Sequence, residues 1–387
     1  MELKVSVVIT IKNDPKGERE LMEALAGQTV KPNEVVVVRA DGVDEAGNKR
    51  VYKGIYRNLK EFKGDKKIKE FKGGLKVMEV GESCSRGRGR NIGVRKARNE
   101  FIAVTDAGCR PRAEWIEKLT QCLYRDDPRW HFFDTLGSES SLTSSSPPGK
   151  NKSKVLLGSS SMISKIPSSD HLGFGKAPYS PAFLVAVAGG YRVAAKTELE
   201  RVMEGFLVPR IAKINKGPAF GYKGRAFLPA SRSIMFTKSA WQAVGGYPET
   251  AVSGAEDLEF ARRLAAHPDV KMIYCPEAVV DWGPPESLGE FFRDIVKHTR
   301  GNMEVGYWPH LWRNLTVVLR WAAIGVWPWL GVGYLVWVMG KGIKIRGIRG
   351  IGEIWWLPVV QVAADAGVIA GLGLGIWAKL GRLGKLG

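Results

Sequence analysis

The chain has 387 residues, with 58 basic against 39 acidic side chains and a formal net charge of +19. That length suits one large domain or two ordinary ones, and 44% hydrophobic with 25% charged residues excludes wholesale disorder. Four widely spaced cysteines (Cys84, Cys109, Cys122 and Cys275), with no CxxC pair, exclude a disulfide scaffold and a zinc ribbon and are expected of a reducing compartment.

In chain order, the Met1–Lys4 start lacks a signal-peptide layout. Val5–Ile11 is a continuous apolar run and predicts a strand buried on both faces. Glu18–Ala26 has helical spacing, and Glu34–Val38 is a second β-branched run. After a Lys/Gly-rich stretch, Leu75–Val80 predicts a third strand, Arg88–Ala97 a helix, Phe101–Thr105 a fourth strand and Ala113–Arg125 a helix. Strands alternating with helices imply a parallel sheet with right-handed crossovers, and ligands then bind beyond the carboxyl ends of the strands. Asn13, Asp41 and Asp106 each fall at or just past such an end.

Residues 137–181 are rich in Ser, Gly and Pro and read as a long surface insertion or lid. Regular patterning resumes at Leu184–Val193 and Thr197–Phe206. A strand at Ser233–Phe236, the segment Lys238–Val244 and a helix over Ala255–Ala266 follow. The tail is different material. Trp321–Met339 carries no formal charge, and Ile354–Trp377 carries only Asp365. Each is long enough for a bilayer, and the flanking tryptophans and basic clusters favour a membrane over two buried core helices.

A full crossing by 316–339 would carry Lys341, Lys344, Arg346 and Arg349 to the far side, against the positive-inside tendency. A re-entrant hairpin turning at Trp327-Pro328-Trp329 returns them to the near surface, where each gains roughly 1 kcal/mol from anionic lipid. Asp365 at mid-bilayer would cost about 2.5–3.5 kcal/mol and is therefore expected to face protein or the interface.

Four constellations carry chemistry. Thr105-Asp106-Ala-Gly-Cys109 puts a carboxylate at a strand end, where it can hold a divalent cation, although Asp-x-Gly is also an ordinary turn. Ser85-Arg-Gly-Arg-Gly-Arg-Asn91-Ile-Gly93 spaces its glycines as GxGxxxG, wrong for a dinucleotide turn. Its arginines at a helix start suit a diphosphate, or simply a solvated basic surface. Gly245-Gly-Tyr-Pro-Glu249 leads to Glu256-Asp257, acids favoured by the helix dipole and candidates for a general base. Lys297-His-Thr-Arg300 closes an amphipathic helix, with His298 expected to be structural.

Taken in order, these segments resemble family 2 glycosyltransferases of the GT-A fold over residues 4–302. Val7–Asp14 is similar to the strand and Asn-acidic start, Arg88–Gly93 to the Ala-Arg-Asn-x-Gly segment, and Phe101–Gly108 to the strand bearing the DxD motif. Glu256-Asp257 matches the acceptor-side pair, and His298–Gly301 the late basic motif. The chain departs at Lys12, where an aromatic often stands, and at Gly108, which replaces the second acid.

The resemblance implies an α/β fold: a Rossmann-like, mostly parallel sheet over 1–305, followed by hydrophobic membrane helices over 306–387. It implies an inverting transfer from a nucleotide-diphosphate sugar to a lipid-linked or membrane-proximal acceptor. The base would lie near Thr10, Lys12 and Asp41, and the diphosphate near Arg86, Arg88, Arg90 and a Mg2+ or Mn2+ ion on Asp106, with Asn13, Asp14, Asn91 and Arg300 also binding the donor. Asp257, or Glu256 beside it, would be the general base. It further implies attachment to the cell membrane through lipid contacts, with the catalytic domain on the cytoplasmic side. A non-catalytic, membrane-tethered nucleotide-sugar-binding protein is the alternative that Gly108 favours. No RNP-like strand, C2H2 pattern or P-loop is present, so nucleic acid is not the expected partner.

Overall fold

In Val5–Ile11 (β1), Val7 and Ile9 point into one apolar cluster and Val8 into another, so the strand is buried on both faces. The same alternation in Glu34–Arg39 (β2) sends Val35 and Val37 one way and Val36 and Val38 the other. Three layers result. Helices Pro15–Ala26 (α1) and Trp115–Asp126 (α3) cover the first face through Leu21, Leu25, Trp115 and Leu119. Helices Arg86–Lys96 (α2), Lys238–Ala243 (α5) and Glu256–Ala266 (α6) cover the second through Ile92, Trp241, Phe260 and Leu264. The computed structural model describes residues 3–11, 14–39, 68–71, 75–81, 85–126, 184–207, 229–249, 255–343 and 350–383. The predicted insertion over 137–181 and the basic residues Lys344, Arg346 and Arg349 lie outside them.

The sheet also contains Ile68–Phe71 (β3), Leu75–Gly81 (β4), Phe101–Asp106 (β5), Cys109–Pro111 (β6), Val185–Val193 (β7), Ile234–Thr237 (β8) and Lys271–Trp282 (β9). Its nine strands run in the order β3-β4-β2-β1-β5-β8-β7-β9-β6. The stretch β4-β2-β1-β5 is parallel as expected. Beyond β5, however, β8 pairs antiparallel with both neighbours, β7 and β9 are parallel, and β6 is antiparallel. "Mostly parallel" therefore holds for the N-terminal half, and the whole is a mixed sheet. Strands β3, β6 and β9 were not evident from pattern. In β9, Pro276 interrupts the apolar run; it sits where the register against β7 jumps between Gly189 and Gly190, a bulge that accommodates proline.

The cysteines also depart from expectation. Cys122 on α3 and Cys275 on β9 form a disulfide, their Cα atoms 6.0 Å apart. The two lie 153 residues apart, so only the packing of α3 on β9 brings them together. The bond runs against the expectation of a reducing compartment.

The remaining helices are Glu198–Leu207 (α4), Leu288–Val305 (α7), Trp308–Val326 (α8), Leu330–Ile343 (α9) and Ile351–Leu383 (α10). The chain breaks helix at Trp327-Pro328-Trp329, where the hairpin turn was expected, and α8 meets α9 through Trp321 against Tyr334, ring centres 5.5 Å apart. Gly352–Leu380 of α10 is the one described helix long and apolar enough to cross a membrane, with mean hydropathy 1.8. One face of α10 is taken by protein: Leu357, Val360 and Ala364 join Val202 and Met203 of α4 and Phe291 of α7 in a third core. Asp365 lies inside this assembly as expected, accepting hydrogen bonds from Arg320, Trp321, Tyr334 and Gln361 at 2.5–3.0 Å. The opposite face leaves Trp355, Ile376 and Trp377 exposed, as do Trp312, Leu319, Trp329 and Val336 on or beside α8 and α9.

Helices α7 and α10 approach closely because Gly371 carries no side chain; a Cβ there would meet the Val296 carbonyl and the Thr299 Cβ, both at 2.7 Å. Gly373, two residues on, faces open space. Gly371→Ala is expected to cost about 1–3 kcal/mol through overpacking. Gly373→Ala is expected to gain up to about 1 kcal/mol of helix propensity. Thermal melts of the two variants in detergent should move in opposite directions.

Candidate active site

Strand β5 delivers Asp106 to the carboxyl end of the parallel half-sheet, with Thr10 of β1 directly opposite in register. The chain then turns through Gly108, whose φ of +79° is one that glycine favours, and continues as β6 on the far edge of the sheet. The turn thus accounts for glycine at the position of the second acid.

Helix α2 begins two residues earlier than its apolar pattern suggested, because Ser85 caps it, accepting from Arg88 N at 3.2 Å. A Cβ on Gly87 would strike the Pro248 carbonyl, and one on Gly93 the Val8 side chain. Gly93 and Gly87 therefore serve close packing on β1 and on the 245–249 turn. In that turn Gly245 and Gly246 have φ of +73° and +69°. Asn91 ties the turn down: its Nδ2 donates to Tyr247 O and Glu249 Oε1, and its Oδ1 accepts from Tyr247 N and Trp241 Nε1, all within 3.0 Å. Tyr247 stacks on Phe260 of α6 at 3.9 Å.

Arg90 lies under this arrangement, 1% exposed. Its guanidinium donates to Asp106 Oδ1 at 2.7 Å and to Glu256 Oε1 at 2.9 Å, and sits 5.3 Å from the Tyr247 ring centre. Burial works against the charged form of Arg90, but Asp106 and Glu256 more than offset it and raise the pKa. Burial likewise pushes Asp106 upward, but Arg90, Arg86 and Arg232 outweigh it and hold the carboxyl at about 2.

These positions correct two expectations. Arg90 is spent on two carboxylates and has no surface for a diphosphate. Glu256, 2% exposed, is committed to Arg90 and is not placed to take a proton from an incoming hydroxyl. Asp257, next along α6, instead lines a cavity of about 720 Å³. Arg86 and Arg88 are on the exposed side of α2, and the Arg86 charge acts on Asp106, Lys297 and His298. Asp14 caps α1 from Gly17 N at 2.8 Å, Asn91 is structural as described, and Arg300 pairs with Glu304 along α7 at 3.2 Å. Lys12, Asn13 and Asp41 lie outside the described residues.

Several cavity residues escaped sequence reasoning. Arg232, just before β8, lies over the Trp282 ring at 4.0 Å and 5.7 Å from the Tyr191 centroid, and all three line the cavity with Asp257. Nothing in their spacing announces them, since they come from β7, β9 and the turn before β8, whose order only the sheet decides. His298 lines the same cavity; burial, then Arg232, pushes its pKa down to about 4, so the ring is neutral near pH 7.

Asp106 has one oxygen engaged by Arg90 and is 24% exposed, which suits a hard cation that draws its other ligands from diphosphate and water. Among the described residues, the three side chains close enough to form a metal cluster are Cys122, Cys275 and Glu277, and the first two are bonded to each other.

No protein-family model and no curated protein matches the chain. Among solved structures, it is similar to Staphylococcus aureus TarS residues 1–349, at 15% identity and TM-score 0.41, covering 98% of this chain and 92% of that one. It is also similar to the mannosyltransferase PcManGT of Pyrobaculum calidifontis, solved with GDP-Man and Mn2+, at 14% identity and TM-score 0.49, covering 98% and 88%. Likeness at this level does not assign an activity.

Replacing Arg90 with Met strands two carboxylates and is expected to destabilise the fold by about 3–5 kcal/mol, measurable by denaturant titration. In Arg90→Met/Glu256→Leu much of that loss should return. Acid should weaken the fold in two steps. His298 stays neutral in the fold until about pH 4 but protonates near 6.5 when unfolded, so stability falls as pH drops through that window. Asp106 contributes stability above its ordinary 3.8 that is lost as pH falls toward 2. His298→Gln should flatten the upper step and Asp106→Asn the lower one in melting temperature against pH.

Proposed function

We propose that the chain is an inverting glycosyltransferase that moves a sugar from a nucleotide diphosphate to a hydroxyl presented at a membrane surface. The observation that carries this reading is the joining of three distant motifs at one place. Asp106 stands at the strand ends, Arg90 locks it to α6, and α6 then presents Asp257 to a cavity edged by Arg232 and His298.

Arg86, Arg232 and Lys297 form the positive frame that would receive a diphosphate, because their charges converge on Asp106 or on one another. Lys297 fits that role, since burial and then Arg86 lower its pKa and the charge of an incoming anion would favour its ammonium form against both. A divalent cation, if bound, would be held by Asp106 and would neutralise charge on the leaving group. The acceptor oxygen bonds to the anomeric carbon as the carbon–oxygen bond to the diphosphate breaks. The acceptor proton passes to Asp257, and the nucleoside diphosphate departs with the bonding electrons. Attack opposite the leaving group inverts the anomeric centre. General-base assistance of this kind is typically worth ~10²–10⁴-fold.

The exposed tryptophans and aliphatics of α8, α9 and α10 support attachment to a membrane, with α10 the candidate to enter it. Lys341, Lys344, Arg346 and Arg349 support placing the sheet domain on the cytoplasmic face. The Cys122–Cys275 bond is the feature that pulls the other way.

Asp257→Asn should lower transfer at least ~10²-fold while leaving the affinity for UDP or GDP within a few-fold of wild type. The measurement is a panel of nucleotide sugars screened for hydrolysis and transfer, beside calorimetric titration with and without Mn2+. Transfer by Asp257→Asn close to the wild-type rate would remove Asp257 from the base role. Tight nucleotide binding with no turnover of any donor would leave the non-catalytic binding protein as the reading.

A further inference from the structure

The Cys122–Cys275 bond lies beside a carboxylate. On α3, Cys122 shares the apolar face with Ile116, Leu119 and Leu123, and on β9 Cys275 enters the same core. Along β9, Ile273 and Cys275 point into that core, and so do Ala278 and Val280, so the alternation slips by one residue at the bulge. The slip leaves Glu277 exposed outside the core, with its Oε2 3.8 Å from Cys275 Sγ. The ligand atoms of Cys122, Cys275 and Glu277 all lie within 4.8 Å of one another, the one such group of His, Cys, Asp or Glu among the described residues.

Two sulfurs and one carboxylate oxygen form a donor set for zinc, whereas calcium and magnesium take oxygen alone. A tetrahedral zinc holds thiolate sulfur at about 2.3 Å and carboxylate oxygen at about 2.0–2.2 Å. Those bonds place two sulfurs about 3.8 Å apart and each about 3.6 Å from the oxygen. The 3.8 Å between Cys275 Sγ and Glu277 Oε2 is close to that separation, and Cα atoms 6.0 Å apart let both sulfurs meet at one ion. Glu277 brings the edge of the site to the surface, which gives the ion a way in and leaves a fourth position for water.

We infer that Cys122, Cys275 and Glu277 form a redox-gated zinc site, a disulfide when oxidised and a holder of one Zn2+ when reduced. Two electrons from a cellular thiol pair convert the S–S bond to two thiols, and the donor leaves as its own disulfide. Zn2+ then displaces the two thiol protons, which pass to solvent. Either state ties α3 to β9, so the fold keeps this link in a reducing compartment as well. The site goes beyond the transferase reading and stands without it, because none of its three residues lines the cavity of Asp257.

The test uses the full chain in a neutral detergent, oxidised or reduced with a water-soluble phosphine that leaves as its oxide. The probes are Zn2+ for melting temperature and Cd2+ for the ultraviolet charge-transfer band of a metal thiolate. Reduction should lower the melting temperature, and Zn2+ should restore it in the reduced chain without moving the oxidised one. Cd2+ should give a thiolate band that saturates at one ion per reduced chain and is lost in Cys122→Ser. Glu277→Ala keeps both thiols and serves if Cys122→Ser fails to fold. It should weaken binding by at least the ~10–100-fold typical of an outer-shell partner. A bond that the phosphine cannot open in the folded chain overturns the inference. So does a reduced chain with no Cd2+ thiolate band, an equal band in Cys122→Ser, or unchanged affinity in Glu277→Ala. Equal stabilisation of oxidised and reduced chains by Zn2+ assigns the ion to another place and overturns it too.

Discussion

One buried guanidinium holds the candidate site together. Arg90 joins helix α2, the end of strand β5 and the start of helix α6, three elements whose contacting residues are 16 and 166 positions apart. An arginine buried this deeply is tolerable only when its charge is met by well-placed carboxylates. Asp106 and Glu256 supply them, and their own charges are neutralised in return. The geometry of the crevice is a consequence. Asp106 stays partly exposed with one oxygen fixed by Arg90, and Asp257 lines the cavity while Glu256, one residue earlier on the helix, pairs with Arg90.

The glycines of α2 and of the 245–249 turn belong to the same construction. They let two backbones approach closely enough for Asn91 to bridge them, so the segment that looks like a phosphate cradle is a packing joint. Positive charge at the rim comes instead from Arg86 and Arg232, which act on Asp106, and from Lys297, on which Arg86 acts. Arg90 is buried and paired while Arg86 and Arg88 are exposed, and sequence alone does not separate them, since all three arginines of 86–90 alternate with glycine.

The apolar tail is joined to the sheet domain by packing as well as by the chain. Gly371 allows α10 to lie against α7, Arg201 pairs with Glu353 at 2.5 Å, and Asp365 collects donors from α8, α9 and α10. The cavity therefore runs between sheet and helices, and Asp257 and Asn314 line the same space.

Much of the fold was legible in the residues themselves. Continuous β-branched runs marked β1, β2, β4 and β5, because a strand buried on both faces has no polar residue to interrupt it. The helix break at Trp327–Trp329 followed from proline, and the internal position of Asp365 from the cost of leaving it in an apolar medium. Asp106 and Asp257 were likewise singled out by their places at a strand end and a helix start. Local sequence could not reveal the antiparallel half of the sheet, the Cys122–Cys275 bond, or the meeting of Arg232 with Trp282 and Tyr191. Nor could it show that Arg90 and Glu256 are buried partners and not ligands to substrate. Each of these depends on which strand lies beside which, a long-range choice made by packing and register that no window of neighbouring residues contains.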